Sequence, residues 1–202
     1  MQIGPRYKKA RYLGAPVFRK TQTQKFAMRA QTKQKTTRGG RGGKSEYGRQ
    51  MLEKQKARFS YGVSGKQFTK YVKQALKSPG DNAKNLMRIL EGRLDNAVVR
   101  AGFAPTRSAA RQMVSHGHMK VNDVIVTIPS YEVSAGDTIT IRDGSKAKGI
   151  FAKIDEELKD FKWPSWLAVD IAKREIKVTG EPVTDMTELL FDLRSVLEFY
   201  TR

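Results

Sequence analysis

Residues 91–126 read EGRLDNAVVRAGFAPTRSAARQMVSHGHMKVNDVIV, and the change of period inside this stretch decides the fold. Up to Gly102 the apolar positions recur at helical spacing. Leu86, Leu90, Leu94, Ala97 and Ala101 form one stripe, with Arg93, Asn96 and Arg100 as a polar stripe beside it. A single helix is expected from Asp81 to Gly102, where the glycine stops it. Thr106 is the expected N-cap of a second helix, TRSAARQMVSHG. That helix turns Ala110, Met113 and Val114 inward and leaves Arg107 and Arg111 one turn apart on the outside. Beyond Gly117 the period drops to two. MKVNDVIV reads as strand, two-residue turn at Asn122-Asp123, strand, and DTITIRDG (137–144) as a further alternating strand. Residues 92–145 therefore read as two helices followed by a small antiparallel sheet.

Working outward, SGKQFTKYVKQALKS (64–78) places Phe68, Val72 and Leu76 on one helical face and Lys66, Lys70, Lys73 and Lys77 on the remainder. SEYGRQMLEKQKARF (45–59) opens with a capping serine followed by good helix formers. SPGDN (78–82) breaks the chain between helices. Residues 1–44 show little apolar periodicity and are expected to form an extended basic arm that orders on its partner. Downstream, FAKIDEELKDF (151–161) reads as an acidic amphipathic helix. WPSWLAVDIAKREIKVTG (163–180) reads as strands, and MTELLFDLRSVLEFYTR (186–202) as a closing helix. The fold class is α+β.

The charge points to a polyanionic partner. The 202 residues carry a net charge of +19. It is concentrated at one end: residues 1–58 hold 17 Lys and Arg against 2 acids, residues 59–154 hold 15 against 7, and residues 155–202 hold 7 against 11. A segment this basic repels itself until something neutralises it. Cysteine is absent, which excludes disulfides and cysteine-ligated zinc. No apolar run approaches the roughly 18 residues of a membrane span. The N-terminus lacks the apolar core of a secretory signal, and Gly4, Pro5, Gly14 and Pro16 argue against an amphipathic presequence helix.

Gly43-Lys44-Ser45 has the ending of a phosphate-binding loop, but the glycine required five positions before Gly43 is Arg38, and the preceding RAQTKQKTT is too polar for a buried strand. The tandem Arg-Gly-Gly units at 38–43 suit a flexible, phosphate-gripping linker instead. Arg93, Arg100, Arg107 and Arg111 are expected on the outer faces of the two helices, as a rigid basic surface matched to folded RNA.

Residues 91–141 closely resemble the RNA-binding domain of the bacterial-type small-subunit ribosomal protein four family. The flanks resemble it too: SEYGRQMLEKQKARFSYGVSGKQF (45–68) before that domain, GPR (4–6) at the start, and PSWLAVD with LEFYTR at the end. The resemblance implies a mainly helical domain, 45–91, completed by the C-terminal segment 160–202. Into it is inserted a small RNA-binding domain, 92–159, of two helices packed on a small antiparallel sheet, with the basic arm 1–44 in front. It implies a non-enzymatic, primary binder of small-subunit ribosomal RNA in the 5′ domain. Such a protein nucleates assembly of the subunit body, neighbours small-subunit protein five at an interface linked to decoding accuracy, and lines the path by which messenger RNA enters. The ribosome would be a cytoplasmic one, or an organellar one.

Carried over, Arg93, Arg100, Arg107, Arg111, His116, His118 and Lys120 lie on or near ribosomal RNA. Lys54, Lys56, Arg58, Lys66 and Lys70 do so from the helical domain, and Arg6, Lys8 and Lys9 from the arm. Arg41, Lys44 and Arg49 fall on the messenger side. Some members of the family carry an N-terminal zinc knuckle; Tyr7 and Ala10 stand near the positions of its first cysteines here. No metal or other cofactor is therefore expected, and RNA contacts must order the arm. Tyr7, Tyr12 and Phe18 have the chemistry to stack on bases.

Two rival readings accompany this one. Gly-Arg-Leu-Asp at 92–95 also occurs around the catalytic aspartate of some pseudouridine synthases, which would make Asp95 a nucleophile. Asp95, however, falls inside the RNA-binding domain, and the rest of the chain does not hold a large catalytic sheet. A free-standing RNA-binding stress factor would not need the 45–90 segment or the matching C-terminus. His116 and His118, the only histidines, lack the further ligands a structural zinc site needs and are assigned to turn formation and RNA contact.

Overall fold

The computed structural model describes residues 3–29, 45–151, 154–158, 161–183 and 189–201. The chain divides into two units, Met1–Ala83 with Met186–Arg202, and Lys84–Asp185. These limits differ from the 92 and 159 boundaries expected for the inserted domain. The reason is visible at its far end, where residues 167–178 join the sheet of the second unit rather than the helical one.

The first unit contains α1 (Arg6–Leu13), α2 (24–29), α3 (Glu46–Ser60), α4 (Gly65–Lys77) and α10 (Leu193–Thr201). Ser45 and Ser64 cap α3 and α4, each accepting a backbone N–H through its hydroxyl at 3.2 Å. Residues 3–29 are not the extended arm read from the sequence. Ala10 and Leu13 of α1 join Ala15, Val17, Phe18 and Leu52 of α3 in a buried cluster. These positions follow no single period because Gly14, at φ +68°, turns the chain in their midst. Phe18 is therefore a core residue, its ring 6.0 Å from Phe59, and is not presented for base stacking. Tyr7 and Tyr12 are exposed.

α10 packs along α3 and α4. The Gln50 amide donates to Glu198, Phe199 stacks near Tyr47 at 5.4 Å, and the Tyr200 hydroxyl meets that of Thr69 at 3.2 Å. α10 starts later than expected. Asp192 caps it, accepting from the Arg194 and Ser195 amides and the Ser195 hydroxyl, and that hydroxyl bond leads in holding its carboxyl below the usual range.

The second unit holds nearly all of α5 (Asn82–Glu91), then α6 (Leu94–Arg100), α7 (Arg107–Ser115), the short α8 (Asp143–Lys146) and α9 (Ile154–Glu157), and an antiparallel sheet. The strands are β1 (Met119–Val121), β2 (Val124–Ile125), β3 (Thr138–Ile141), β4 (Leu167–Asp170) and β5 (Glu175–Val178), in the order β2-β1-β3-β5-β4. Asn122 and Asp123 make the β1–β2 turn with φ of 48° and 65°, the left-handed pair that a two-residue hairpin requires. Alternate residues Met119, Val121, Ile139, Ile141, Ile176 and Val178 face the core, against Leu94, Val98, Ala110 and Val114 from α6 and α7. Among the described residues of the helix expected over 151–161, α9 is the α-helical part, and Phe151, Ile154 and Leu158 reach that core.

The helix expected from Asp81 to Gly102 is interrupted. Arg93 is extended, at φ −74° and ψ 137°, so α5 and α6 are separate elements. The loop 129–133 runs alongside the break. Val133 donates its N–H to Gly92, while the Leu94 and Asp95 amides donate to Tyr131 and Pro129 at 2.8 and 3.1 Å. In an unbroken helix those two amides would seek carbonyls four residues earlier.

Candidate nucleic-acid interface

The break at Arg93 sets the polar architecture of the second unit. Leu94 must enter the core, so Arg93 swings back over the start of α6. It grips Asp95 with the Nε–Nη2 edge of its guanidinium: Nε donates to Oδ1 at 2.9 Å and Nη2 to Oδ2 at 2.8 Å. Arg111 of α7 reaches the same Oδ2 from the other side, with Nη2 at 2.7 Å. Asp95 is 2 % exposed and Arg93 5 %. Arg93 is thus a buried structural residue rather than one on an outer face, a correction to the sequence reading. Its pairing partner lies two residues away, a spacing that helical periodicity does not bring together.

A second network runs beside the first. Glu91, fully buried, receives Nε of Arg100 on Oε2 at 2.9 Å and Nη2 on Oε1 at 3.0 Å. Asn96 donates to Glu91 Oε2 at 2.6 Å and accepts Nε of Arg107 at 2.7 Å. The outer parts of Arg100 and Arg111 remain partly exposed, 24 % in each case. Thr106 caps α7, its hydroxyl accepting from the Ala109 amide, and so fixes where Arg107 and Arg111 emerge. Glu91 and Asn96 tie this network together, and the sequence reading did not single them out for it. Nothing in the apolar pattern marked them, because the stripe from Leu86 to Ala101 runs unbroken along the chain.

At the end of α7, His116 is exposed, while His118 donates or accepts at Ser145 Oγ across 3.0 Å and lies edge-on to Phe151. Burial, then the nearby charges of Lys148, His116 and Arg142, pushes the His118 pKa down. Lys120 shares Asp143 with Lys146. Those two ammonium groups hold the Asp143 carboxyl at about 2.

In the first unit the basic residues divide into two kinds. Lys54 sits 4.2 Å from the centre of the Phe199 ring, and burial followed by the Arg58 charge lowers its pKa. Arg58 stacks on Phe59 at 4.3 Å and donates to Gln55, Lys9 approaches the same ring, and Lys56 pairs with Glu53. These side chains are held by their own protein. Lys66 and Lys70, by contrast, are exposed on α4 in line with Lys73 and Lys77, at helical spacings that make one continuous basic row. No acidic residue occurs in α4. Lys73 and Lys77 complete the row of which only Lys66 and Lys70 were assigned to RNA from the sequence. Arg6 and Lys8 are exposed on α1, and Arg49 pairs with Glu46. Arg41 and Lys44 lie outside the described residues.

Among the described residues this arrangement suits phosphate binding and brings no catalytic constellation together. Asp95 has both oxygens engaged by arginines and is closed to a substrate, so it is not placed as a nucleophile. Among the described residues no group of His, Cys, Asp or Glu is suited to a metal ion, and no helix is long and apolar enough to cross a membrane.

Comparison with known proteins agrees with this geometry. The ribosomal protein S4/S9 N-terminal domain matches residues 2–91, and the S4 domain matches residues 92–139. The small ribosomal subunit protein uS4 of Mycobacterium ulcerans is 44 % identical over 158 residues, 78 % of this chain and 79 % of that protein. The protein of the same name from Halothermothrix orenii is 42 % identical over 158 residues, 78 % of this chain and 76 % of that one.

Proposed function

The chain belongs to the small ribosomal subunit protein uS4 family, and on that premise we propose that it is a structural, non-enzymatic constituent of the small ribosomal subunit that binds its ribosomal RNA. The observation that carries this reading is that the two domain matches abut at residues 91 and 92. An S4 domain alone occurs in RNA-modifying enzymes and free-standing RNA binders; the preceding 2–91 match is what ties this one to the ribosome.

The finer reading is that the protein binds the 5′ domain of the RNA early and nucleates assembly of the subunit body. Arg100, Arg107, Arg111, His116, His118 and Lys120 contribute from the second unit. Lys66, Lys70, Lys73 and Lys77, with Arg6 and Lys8, contribute from the first, and Lys9, Lys54, Lys56 and Arg58 add positive charge there. Small-subunit protein five is the proposed protein neighbour. Arg41, Lys44 and Arg49 are the proposed contacts for transient messenger RNA, and the proposed compartment is the cytoplasm. Lysine and arginine neutralise phosphates and release counterions, so affinity falls steeply with salt.

The test is sedimentation of a cell lysate through sucrose gradients at low and high salt. Migration with the small subunit, retained at high salt, is expected. Migration at the top of the gradient under both conditions would refute the assignment.

A further inference from the structure

Glu91 and Asp95 pose a problem for any polyanion-binding surface. They place two negative charges beneath four arginines, and so remove half of the charge that attracts RNA. Stability does not explain them, because buried ion pairs are commonly replaced by apolar residues without loss. Their geometry does suggest a role. Each carboxylate takes the Nε–Nη2 edge of an arginine at 2.7 to 3.1 Å, and each is itself buried in the second unit. The guanidinium that results is pinned in plane and direction, with 24 % of the side chain still exposed. Asn96 extends the same hold from Glu91 to Arg107.

We propose that Glu91 and Asp95 are positioning residues of the RNA interface: they hold Arg100 and Arg111, and through Asn96 also Arg107, in one fixed array matched to a particular phosphate geometry. The inference rests on the reading of these arginines as RNA-facing. A loose arginine loses rotamer freedom when it meets a phosphate; one already held has lost it on folding. The array therefore gains selectivity for a folded RNA whose phosphates fit, while giving up general attraction to any polyanion. Arginine is required because its planar fork meets a carboxylate with two N–H donors in a fixed plane, which a lysine ammonium cannot do.

The sign of one experiment separates positioning from simple charge. Glu91→Gln removes a negative charge from a protein of net charge +19. On charge alone it should bind every polyanion more tightly. On the positioning view its affinity for a small-subunit ribosomal RNA transcript falls about tenfold, while its affinity for heparin is unchanged or higher. Arg100→Lys keeps the charge and loses the fork, so it should show the same split. The double variant should bind the transcript no worse than the weaker single variant, since both remove one unit. Circular dichroism and thermal melting establish that each variant is folded.

A folded Glu91→Gln protein that binds the transcript as tightly as wild type overturns the inference. So do losses that add in the double variant. Should Glu91→Gln not fold, Arg100→Lys decides alone, and unchanged transcript affinity overturns the proposal. Wild-type protein that fails to bind the transcript overturns the ribosomal reading and this inference with it; wild-type binding with unaffected variants overturns this inference only.

Discussion

Arg93 and Asp95 stand two residues apart and close a bidentate ion pair of 2.9 and 2.8 Å in which both side chains are buried. The pair exists because the backbone at Arg93 is extended, which brings its side chain back over the first turn of α6. A third charge, Arg111, completes it from α7. Removing the carboxylate takes from both arginines the buried counter-charge that they share. Asp95→Ala is expected to lower unfolding free energy by about 3–5 kcal/mol. Urea titration followed by circular dichroism measures this, and a loss under about 1 kcal/mol would show that the pair is dispensable.

Gly102 ends α6 at φ +83°, and a Cβ built there would lie 2.6 Å from Leu158 Cδ2 and 3.2 Å from the Phe161 ring. Backbone strain and steric overlap therefore act together. Gly102→Ala should destabilise the second unit by roughly 1–3 kcal/mol. Thermal melts of the two proteins test this; an equal or higher midpoint in the variant would contradict the close approach of Leu158 and Phe161.

The lysine row of α4 is expected to act on RNA through charge alone. Replacing Lys73 and Lys77 with glutamine should weaken binding to ribosomal RNA without changing helical content. The slope of log affinity against log salt should fall by about 0.7–0.9 for each phosphate that is no longer neutralised. Filter binding over a range of potassium chloride concentrations reads this slope, and an unchanged slope would remove α4 from the interface.

Two groups set the response to pH at opposite ends. His118 has a folded pKa below its ordinary 6.5, chiefly through burial. The unfolded chain therefore binds the proton more readily, and stability declines as pH falls through that value. His118→Asn should flatten this limb of a melting-temperature series between neutral and mildly acidic pH. Asp143, held at about 2 against an ordinary 3.8, contributes above 3.8 and loses its contribution as pH drops toward 2. Asp143→Asn should reduce that acid limb, to which Asp192 also contributes, and leave the one at neutral pH intact. Wild-type profiles retained in the two variants would contradict these assignments.

The features legible along the chain are local or summed. Capping serines and threonine at 45, 64 and 106 and the Asn122-Asp123 turn act within a few residues, so they can be read without neighbours. The α4 lysine row and the +19 charge are likewise written along the chain. Folding settled the rest. The apolar residues between Ala10 and Phe18 acquire meaning only once Leu52 packs against them. The break between α5 and α6 arises because residues 129–133, some forty positions away, offer the Leu94 and Asp95 amides other carbonyls and take Gly92's own. That break sends Arg93 inward to Asp95 and leaves Arg100 and Arg111 at the surface. Periodicity had treated these arginines as equivalent, since it weighs a residue against its neighbours in the chain. Burial of a charge depends instead on a counter-charge that folding brings to it.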